Sequence, residues 1–173
     1  REMSKIFKKY GTLIALFGII LLFSILKPSV FFTLRNFINI TQQISILMIA
    51  AIGATFILGV SEFDLSLAST VSFGGVVAAG LMSSGMNWII AIVISLAFSF
   101  IFGVMNGFLV SKLKLPSFVT TLATGTLLGG ITFWYSGGTI IFSGIPDDFL
   151  IMGQEELLGI PITSLIMFGI SFL

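Results

Sequence analysis

The charged residues of this chain are confined to short segments, and long uncharged runs of apolar residues lie between them. Nothing is charged between Lys9 and Lys27. That stretch rises about 25 Å as an α-helix, close to the ~30 Å thickness of a bilayer's hydrocarbon core. Only 9% of the residues are charged and 57% are hydrophobic, whereas soluble domains carry about 25% charged residues. Because so few charges cannot cover a core with a wetted shell, we expect lipid to surround most of the chain.

The apolar runs predict an all-α fold, a polytopic transmembrane helix bundle with about six spans in a single domain over residues 1–173. The spans are expected near residues 10–26, 44–60, 65–82, 88–110, 118–135 and 162–173. Pro28 should end the first helix, because proline cannot continue a helix through its own position. Residues 29–43 mix aromatic and polar side chains and are expected to lie at the membrane interface. Residues 136–161 are expected to form an acidic loop.

The basic residues indicate an orientation. Four predicted crossings separate Lys9 from Lys112, so both residues should lie on the same side of the membrane. That side collects most of the basic residues, namely Arg1, Lys5, Lys8, Lys9, Lys112 and Lys114, and leaves only Lys27 and Arg35 on the other. The positive-inside rule then places the N-terminus in the cytoplasm and the acidic loop outside.

The side chains on which most enzymes and metal sites depend are missing from the sequence. It has no Cys and no His, which excludes disulfides, thiolate metal sites and a histidine general base. No Lys follows Gly and precedes Ser or Thr, so there is no Walker A lysine to hold nucleotide phosphates. No basic stripe follows the pattern of a nucleic-acid site. We therefore expect no catalytic residue, metal, cofactor or nucleic-acid partner.

Small residues recur at helical spacing inside the predicted spans. Gly103 and Gly107 form one GxxxG pair, and Gly125 and Gly129 form another. Lipid gives helices no hydrophobic reason to associate, so small residues that let backbones approach closely are common at their interfaces. The spacing predicts tight helix packing, which is more typical of a transporter or channel than of a simple anchor.

Three stretches of the chain together resemble one family. They read FTLRNFINITQQIS over residues 32–45 with IGATFIL over 52–58, GVSEFDLSLAS over 59–69, and GVMNGFLV over 103–110 with PSFVTTL over 116–122. In order and spacing they resemble the inner-membrane permeases of bacterial sugar-importing ABC transporters, the ribose, xylose, arabinose and galactose group. Two departures stand out: Glu62-Phe63 replaces the family's usual Gly-Ile before Asp64, and Ala123 stands where the family tends to have Gly.

The resemblance implies a fold like that of type II ABC importers and a role as the permease subunit. The chain would correspond to the first half of a roughly ten-span permease, without the family's ATPase-docking loop. It would form the path for a sugar by alternating access in the bacterial inner membrane, while a separate subunit hydrolyses ATP. The implied partners are a second permease copy, cytoplasmic ABC ATPase subunits, an extracytoplasmic sugar-binding protein and the lipid bilayer.

Five polar residues are candidates for the translocation path or its gate: Gln42, Gln43, Asp64, Ser66 and Asn106. Asp64 has two interpretations, an N-cap for the next helix or part of a cytoplasmic gate. The glutamines suit sugar hydroxyls because an amide donates and accepts, and they equally suit hydrogen bonds between helices. Asn106 is expected to bond to another helix, with a path-lining role second. The residues that match the family's signature, with structural roles implied, are Asn39, Gly53, Gly107, Pro116, Phe118 and Thr121.

The absence of charges deep inside the spans favours a neutral cargo, because a charged solute would call for a buried counter-charge that costs at least ~2.5–3.5 kcal/mol at mid-bilayer. The alternative is half of an ion-coupled secondary transporter. Such proteins usually carry an ion-coordinating acid on a broken helix near mid-membrane, whereas Glu62 and Asp64 lie at the edge of a span. Thr120, Thr121 and Thr124 are expected to bond back to the carbonyls of their own helix.

Overall fold

A computed structural model describes residues 2–157 and 159–172 and is almost wholly helical there. Its helices are α1 Glu2–Leu26, α2 Pro28–Phe31, α3 Leu34–Gly59, α4 Leu67–Ser83, α5 Trp88–Ser111, α6 Ser117–Ser136, α7 Asp147–Gln154 and α8 Ile162–Ser171. Two short antiparallel strands, β1 Glu156–Leu157 and β2 Ile160–Pro161, form a hairpin between α7 and α8. The predicted helical bundle is confirmed, and the hairpin with α7 gives structure to what was expected to be a loop.

Among the described residues, three helical stretches are long and apolar enough to cross a membrane: Lys9–Leu26, α3 and α5. The apolar helices α4 and α8 are shorter. Helix α6 has 20 residues, but its Thr and Gly residues lower its hydropathy, so it is not one of the three candidate spans. Helices thus lie where spans were predicted, whereas the number of spans, about six, stays a prediction.

Helix α3 begins ten residues before the predicted second span, which was expected at residue 44. Thr33 is its N-cap, and the Thr33 hydroxyl accepts a hydrogen bond from the backbone N–H of Asn36 at 3.2 Å. This bond satisfies one of the N–H groups that a helix start leaves without a partner. The segment expected at the interface is therefore largely helical. Pro28 opens the short helix α2 after α1 has ended at Leu26, as expected.

The described helices pack in two sets. Helices α4, α5 and α6 pack on one another. Helix α3 packs on α8, strand β2 contacts both of these helices, and α7 contacts α8. The aromatic rings of Phe73 on α4 and Phe102 on α5 meet edge to face at 5.5 Å, the geometry that aromatic pairs favour. Met82 and Leu128 are buried in the first set and Met167 in the second. Most other large apolar side chains are exposed, as expected for helices that face lipid or further protein.

Only some of the small residues lie where helices approach closely. A Cβ on Gly74 would lie 3.1 Å from the hydroxyl of Ser99 on α5, so α4 and α5 meet there. For Gly103, Gly107 and Gly129, no described residue lies within 4 Å of the position of a Cβ, so close packing at these glycines stays a prediction. The GxxxG spacing permits close approach, but it does not determine which face meets a neighbour.

Candidate functional site

A cavity of about 700 Å³ lies where α3 and α5 end and α6 begins. It is called the end cavity below. Its wall includes Glu62 and Asp64 from the connection between α3 and α4, Asn106 from α5, and Lys114 from the turn between α5 and α6. Residues 60–66, which connect α3 to α4, are called the α3–α4 segment. Two carboxylates and one ammonium group face the cavity, so its wall carries a slight excess of negative charge.

The end of α3 directs the α3–α4 segment across the bundle. The backbone N–H of Ser61 donates to Leu58 O at 2.9 Å, and that of Glu62 donates to Ile57 O at 3.2 Å. This pair of bonds is the Schellman motif, in which the residue after the C-cap takes a left-handed conformation. Ser61 has a φ of +61° where glycine is usual, and Lys114 at the opposite wall has a φ of +57°. Both turns that border the end cavity therefore hold a residue in a costly backbone conformation.

Hydroxyl groups of α6 hold the α3–α4 segment in place. The backbone N–H of Phe63 donates to Ser117 Oγ at 3.3 Å, and that of Leu65 donates to Thr121 Oγ1 at 3.0 Å. Ser117 and Thr121 are four residues apart and so share one helix face. Gly125, one turn further on, allows the close approach, because its Cβ would lie 3.3 Å from Leu65 O. The segment thus satisfies two of its backbone N–H groups with side chains of another helix.

Asp64 accepts two hydrogen bonds from Ser66 on the same oxygen. The Ser66 backbone N–H reaches Asp64 Oδ1 at 2.7 Å, and the Ser66 hydroxyl donates to it at 2.6 Å. The carboxylate accepts a backbone N–H just before α4 begins, but Asp64 does not occupy the predicted N-cap position. The N-cap residue itself is Ser66 rather than Asp64. The two bonds therefore fix the side chain of Asp64 relative to Ser66, just ahead of α4 in the chain.

The Asp64–Ser66 pair continues into two more side chains on separate helices. Asn106 Nδ2 donates to Ser66 Oγ at 3.1 Å, and Thr124 Oγ1 donates to Asn106 Oδ1 at 2.6 Å. We call Thr124, Asn106, Ser66 and Asp64 the polar chain. Asn106 is only 6% exposed, so the expectation that it bonds across to another helix is confirmed. The polar chain links α6, α5 and the start of α4 and ends on a carboxylate beside the end cavity.

The two glutamines lie elsewhere. Gln42 is half-buried on α3, and its Nε2 donates to Gly153 O of α7 at 2.6 Å. Gln43 is exposed on the same helix. Both lie about 25 Å along α3 from its end at Gly59, given the rise of an α-helix. The structure therefore brings Asp64, Ser66 and Asn106 together and leaves Gln42 and Gln43 at a separate place.

The residues that match the family's signature also divide. Gly107, Pro116 and Thr121 line the end cavity. Asn39 and Phe118 are exposed, and Gly53 is half-buried, with Leu67 Cδ1 4.0 Å from the position of a Cβ. Half of the signature therefore surrounds one cavity.

Ser117 and Thr124 were not among the predicted site residues. The available signal was the row of hydroxyls at positions 117, 121 and 124, which lie on one face of a helix. Thr124 Oγ1 is also within 3.1 Å of Thr120 O, and Thr121 Oγ1 donates to Ser117 O at 2.8 Å. The expected bond to the same helix is thus confirmed for Thr121, whose hydroxyl also accepts from the Leu65 N–H. Thr124 has one hydroxyl proton, and the shorter bond to Asn106 Oδ1 takes it. In the described part of the chain, no three His, Cys, Asp or Glu residues lie close enough together to hold a metal ion.

Comparison with known proteins shows which protein family this chain matches. The model of the branched-chain amino acid transport system / permease component family matches residues 36–168. The ribose import permease protein RbsC of Haemophilus influenzae is 36% identical over 157 residues, which are 89% of this chain and 48% of that protein. The D-allose transport system permease protein AlsC of Escherichia coli is 32% identical over 89% of this chain and 47% of its own length.

The xylose transport system permease protein XylH of Haemophilus influenzae is 34% identical over 86% of this chain and 40% of its own length. The chain thus spans about half the length of the curated relatives that it matches. No solved structure matches it. The family match covers most of the chain, including every residue of the polar chain, and the relatives named above are permeases of sugar transport systems. The chain therefore belongs to this permease family, and its resemblance to the permeases of bacterial sugar ABC importers is confirmed.

Proposed function

We propose that this chain contributes the translocation path of an ATP-driven importer for a sugar or a similar neutral hydroxylated solute. The observation that carries the proposal is the end cavity, whose wall holds the Asp64 carboxylate and the Asn106 amide. The buried Ser66 hydroxyl connects these two groups by hydrogen bonds. Such groups match a solute rich in hydroxyls, since each hydroxyl both donates and accepts. Burying a polar side chain in a membrane bundle costs free energy, so such side chains usually pair with one another or face a cavity.

The relatives' names favour the same class of cargo. They refer to ribose, D-allose and xylose, which are uncharged sugars. The described spans hold no charge that would act as a deep counter-ion, and the charged groups near the path lie at the edge of the bundle. A neutral solute therefore fits both the relatives and the charge distribution.

Alternating access would use two places along the bundle. Asp64, Ser66 and Asn106 would form the gate at the end cavity, and Gln42 and Gln43 would lie toward the other mouth. With the N-terminus in the cytoplasm, as the basic residues indicate, the end cavity would open to the cytoplasm. The exposed acidic residues Asp147 and Asp148 of α7 would then face outward with the hairpin, where a soluble binding protein docks.

The expected assembly follows from the family. A second permease copy would complete the path, and two cytoplasmic ABC ATPase subunits would drive it from the inner face of the bacterial inner membrane. The lipid bilayer would surround the exposed apolar faces of α1, α3 and α5. The chain itself would perform no catalysis.

Uptake into proteoliposomes tests this function. The full-length protein is reconstituted with its ATPase and binding protein, and radiolabelled ribose, allose and xylose are offered with and without ATP on the ATPase side. We expect at least one of the sugars to accumulate only with ATP, and ionophores that collapse ion gradients to leave uptake unchanged. Uptake that survives without ATP and stops with the ionophores would instead establish an ion-coupled secondary transporter.

A further inference from the structure

One oxygen of Asp64 is left free by the polar chain. Within the described part of the chain, both hydrogen bonds to this carboxylate end on Oδ1, and both come from Ser66. Asp64 is half-buried and lines the end cavity. An ionised carboxylate offers about four acceptor positions on its two oxygens. Oδ2 therefore retains its capacity to accept hydrogen bonds beside an open space.

Asn106 also has an unused group. Its carboxamide accepts from Thr124 through Oδ1 and donates to Ser66 through one of the two N–H bonds of Nδ2. An amide nitrogen carries two N–H donors, so one remains. Asn106 lines the end cavity while being 6% exposed.

Ser66 fixes the distance between these two groups. Its Oγ donates to Asp64 and accepts from Asn106, so the carboxylate and the amide lie within two hydrogen-bond lengths of each other. Ser66 is 2% exposed and its position is set by α6 through the neighbouring Leu65–Thr121 bond. An acceptor and a donor are thus held side by side without needing to reorganise when a ligand arrives, which is the condition for efficient binding of a polar ligand.

We propose that Asp64 Oδ2 and the second N–H of Asn106 form a solute subsite in the end cavity, which binds two neighbouring hydroxyls of a neutral polyhydroxylated solute. The inference rests on the proposed function and adds where the solute binds and through which atoms. One hydroxyl donates to the carboxylate, and the next accepts from the amide. Thr124 is a positioning residue, because its hydroxyl fixes the orientation of the Asn106 amide.

The same wall explains selection by charge. Glu62 and Asp64 face the cavity with Lys114, so an anionic solute meets a net negative surface, while a neutral one meets only hydrogen-bonding groups. The cavity volume of about 700 Å³ lies within the range of small-molecule sites. We therefore expect the subsite to accept a sugar and to reject the corresponding sugar acid.

A cysteine placed beside the subsite reports binding directly. Residues 1–173 contain no Cys, and Ser111 is exposed and lines the end cavity. Ser111→Cys is introduced into the full-length protein, with any cysteine elsewhere replaced, and the detergent-purified protein is labelled with a maleimide. Ribose should slow the labelling in a saturable manner, and ribonate should not. The matched control is Ser84→Cys, exposed at the C-cap of α4, whose labelling should be the same with and without ribose.

The substitution Asp64→Asn tests solute binding by Oδ2 while keeping the bonds that Ser66 donates to Oδ1. The Asn side chain keeps an oxygen that can accept both bonds from Ser66, and replaces Oδ2 with an NH2 group. Loss of a hydrogen bond to a charged acceptor should raise the ribose concentration for half-protection by about tenfold. Thr124→Val should raise it in the same direction and Thr124→Ser should restore it. The matched control, Glu155→Gln at the exposed C-cap of α7, should leave it unchanged.

Three results would overturn the subsite. They are unchanged protection in Asp64→Asn, equal protection by ribose and ribonate, and a loss in Glu62→Gln as large as in Asp64→Asn, which would assign the effect to the charge of the cavity. The first of these, with ATP-driven uptake intact in the unaltered protein, rejects the subsite alone. Failure of ATP-driven uptake in the unaltered protein rejects the proposed function instead, so the two failures are distinguishable.

Discussion

Two of the places where the described residues bury hydroxyl groups between helices differ in what surrounds them. At the contact between α3 and α8, Ser45 Oγ lies 2.9 Å from Ser164 Oγ and 2.7 Å from Thr41 O. Ser45 and Ser164 are both fully buried. At the other place, the polar chain runs from Thr124 through Asn106 and Ser66 to Asp64, which borders the end cavity. The first contact is closed, and the second ends at open space.

The difference separates packing from function. Ser45 and Ser164 satisfy each other and the helix backbone, and neither lines the end cavity. A closed pair of this kind stabilises helix association in a membrane, where double-mutant cycles average about 0.6 kcal/mol per polar contact. The polar chain, in contrast, has donor and acceptor capacity left over at a cavity wall. Burial of a polar residue is therefore a weak sign of function, and unused hydrogen-bonding capacity beside a cavity is a stronger one.

Asn106→Leu should produce the largest loss. The change removes both central hydrogen bonds of the polar chain and leaves a buried serine and threonine with fewer partners, so we expect the free energy of unfolding to fall by about 2 kcal/mol. Unfolding of the full-length protein in mixed micelles by added SDS measures it. The matched control is Asn39→Leu on exposed α3, which should change the value by less than about 0.5 kcal/mol. Equal losses at both positions would contradict the importance given to the polar chain.

Gly125→Ala tests how closely α6 approaches the α3–α4 segment. A Cβ there would lie 3.3 Å from both Leu65 O and Ser66 Cα, which are backbone atoms that cannot rotate away. Overpacking typically costs 1–3 kcal/mol, and the better helix propensity of Ala offsets about 1 kcal/mol, so we expect a net loss of up to about 2 kcal/mol. The same unfolding measurement applies.

Gly129→Ala is the control for Gly125→Ala on the same helix. Nothing lies within 4 Å of a Cβ at that position, so the helix propensity of Ala should make the change neutral or stabilising by up to about 1 kcal/mol. A loss at Gly129 as large as at Gly125 would mean that α6 is packed equally along its length, which contradicts the special position of the α3–α4 segment.

Much of the fold follows from one-dimensional patterns. Uncharged apolar runs predicted the helices, and Pro28 predicted the end of α1, because both signals depend only on nearby residues. Asp64 and Asn106 were also predictable, since a polar residue at the end of an apolar run or within it must find a partner. The helix that starts before residue 44 was not predicted, because residues 29–43 were interpreted only as an interfacial segment, although the Thr33 cap begins a helix there.

The connections inside the site were not predictable in the same way. Leu65 and Thr121 are 56 residues apart, and Asn106 and Ser66 are 40 residues apart. Their contacts depend on which faces of α4, α5 and α6 meet, and the weak amphipathicity of helices in lipid does not determine this. GxxxG spacing was a poor guide for the same reason: Gly103 lines a cavity and Gly125 packs against a backbone, although both belong to such pairs.

Ser61→Gly should stabilise the protein through the turn beside the end cavity, without changing the closed contact between α3 and α8. Ser61 has a φ of +61° at the end of α3, and a left-handed conformation costs a residue with a Cβ roughly 1–2 kcal/mol. Glycine removes that cost but loses more chain entropy on folding, so we expect a net gain of about 1 kcal/mol in the free energy of unfolding. Ser61→Ala, which keeps the Cβ, is the matched control and should give no gain. A gain with Ala as large as with Gly would assign the effect to the serine hydroxyl rather than to the backbone.

The smallest expected effect comes from Ser45→Ala in the closed contact. Removing one hydroxyl from the Ser45–Ser164 pair should lower the free energy of unfolding by about 0.6 kcal/mol, and the cycle with Ser164→Ala isolates the coupling between the two residues. ATP-driven ribose uptake should be unchanged, because neither hydroxyl lines the end cavity. Asp64→Asn should behave in the opposite way, with little change in unfolding and a clear loss of ribose protection. If Ser45→Ala reduced uptake as strongly as Asp64→Asn, a position at the cavity wall would not separate functional contacts from structural ones.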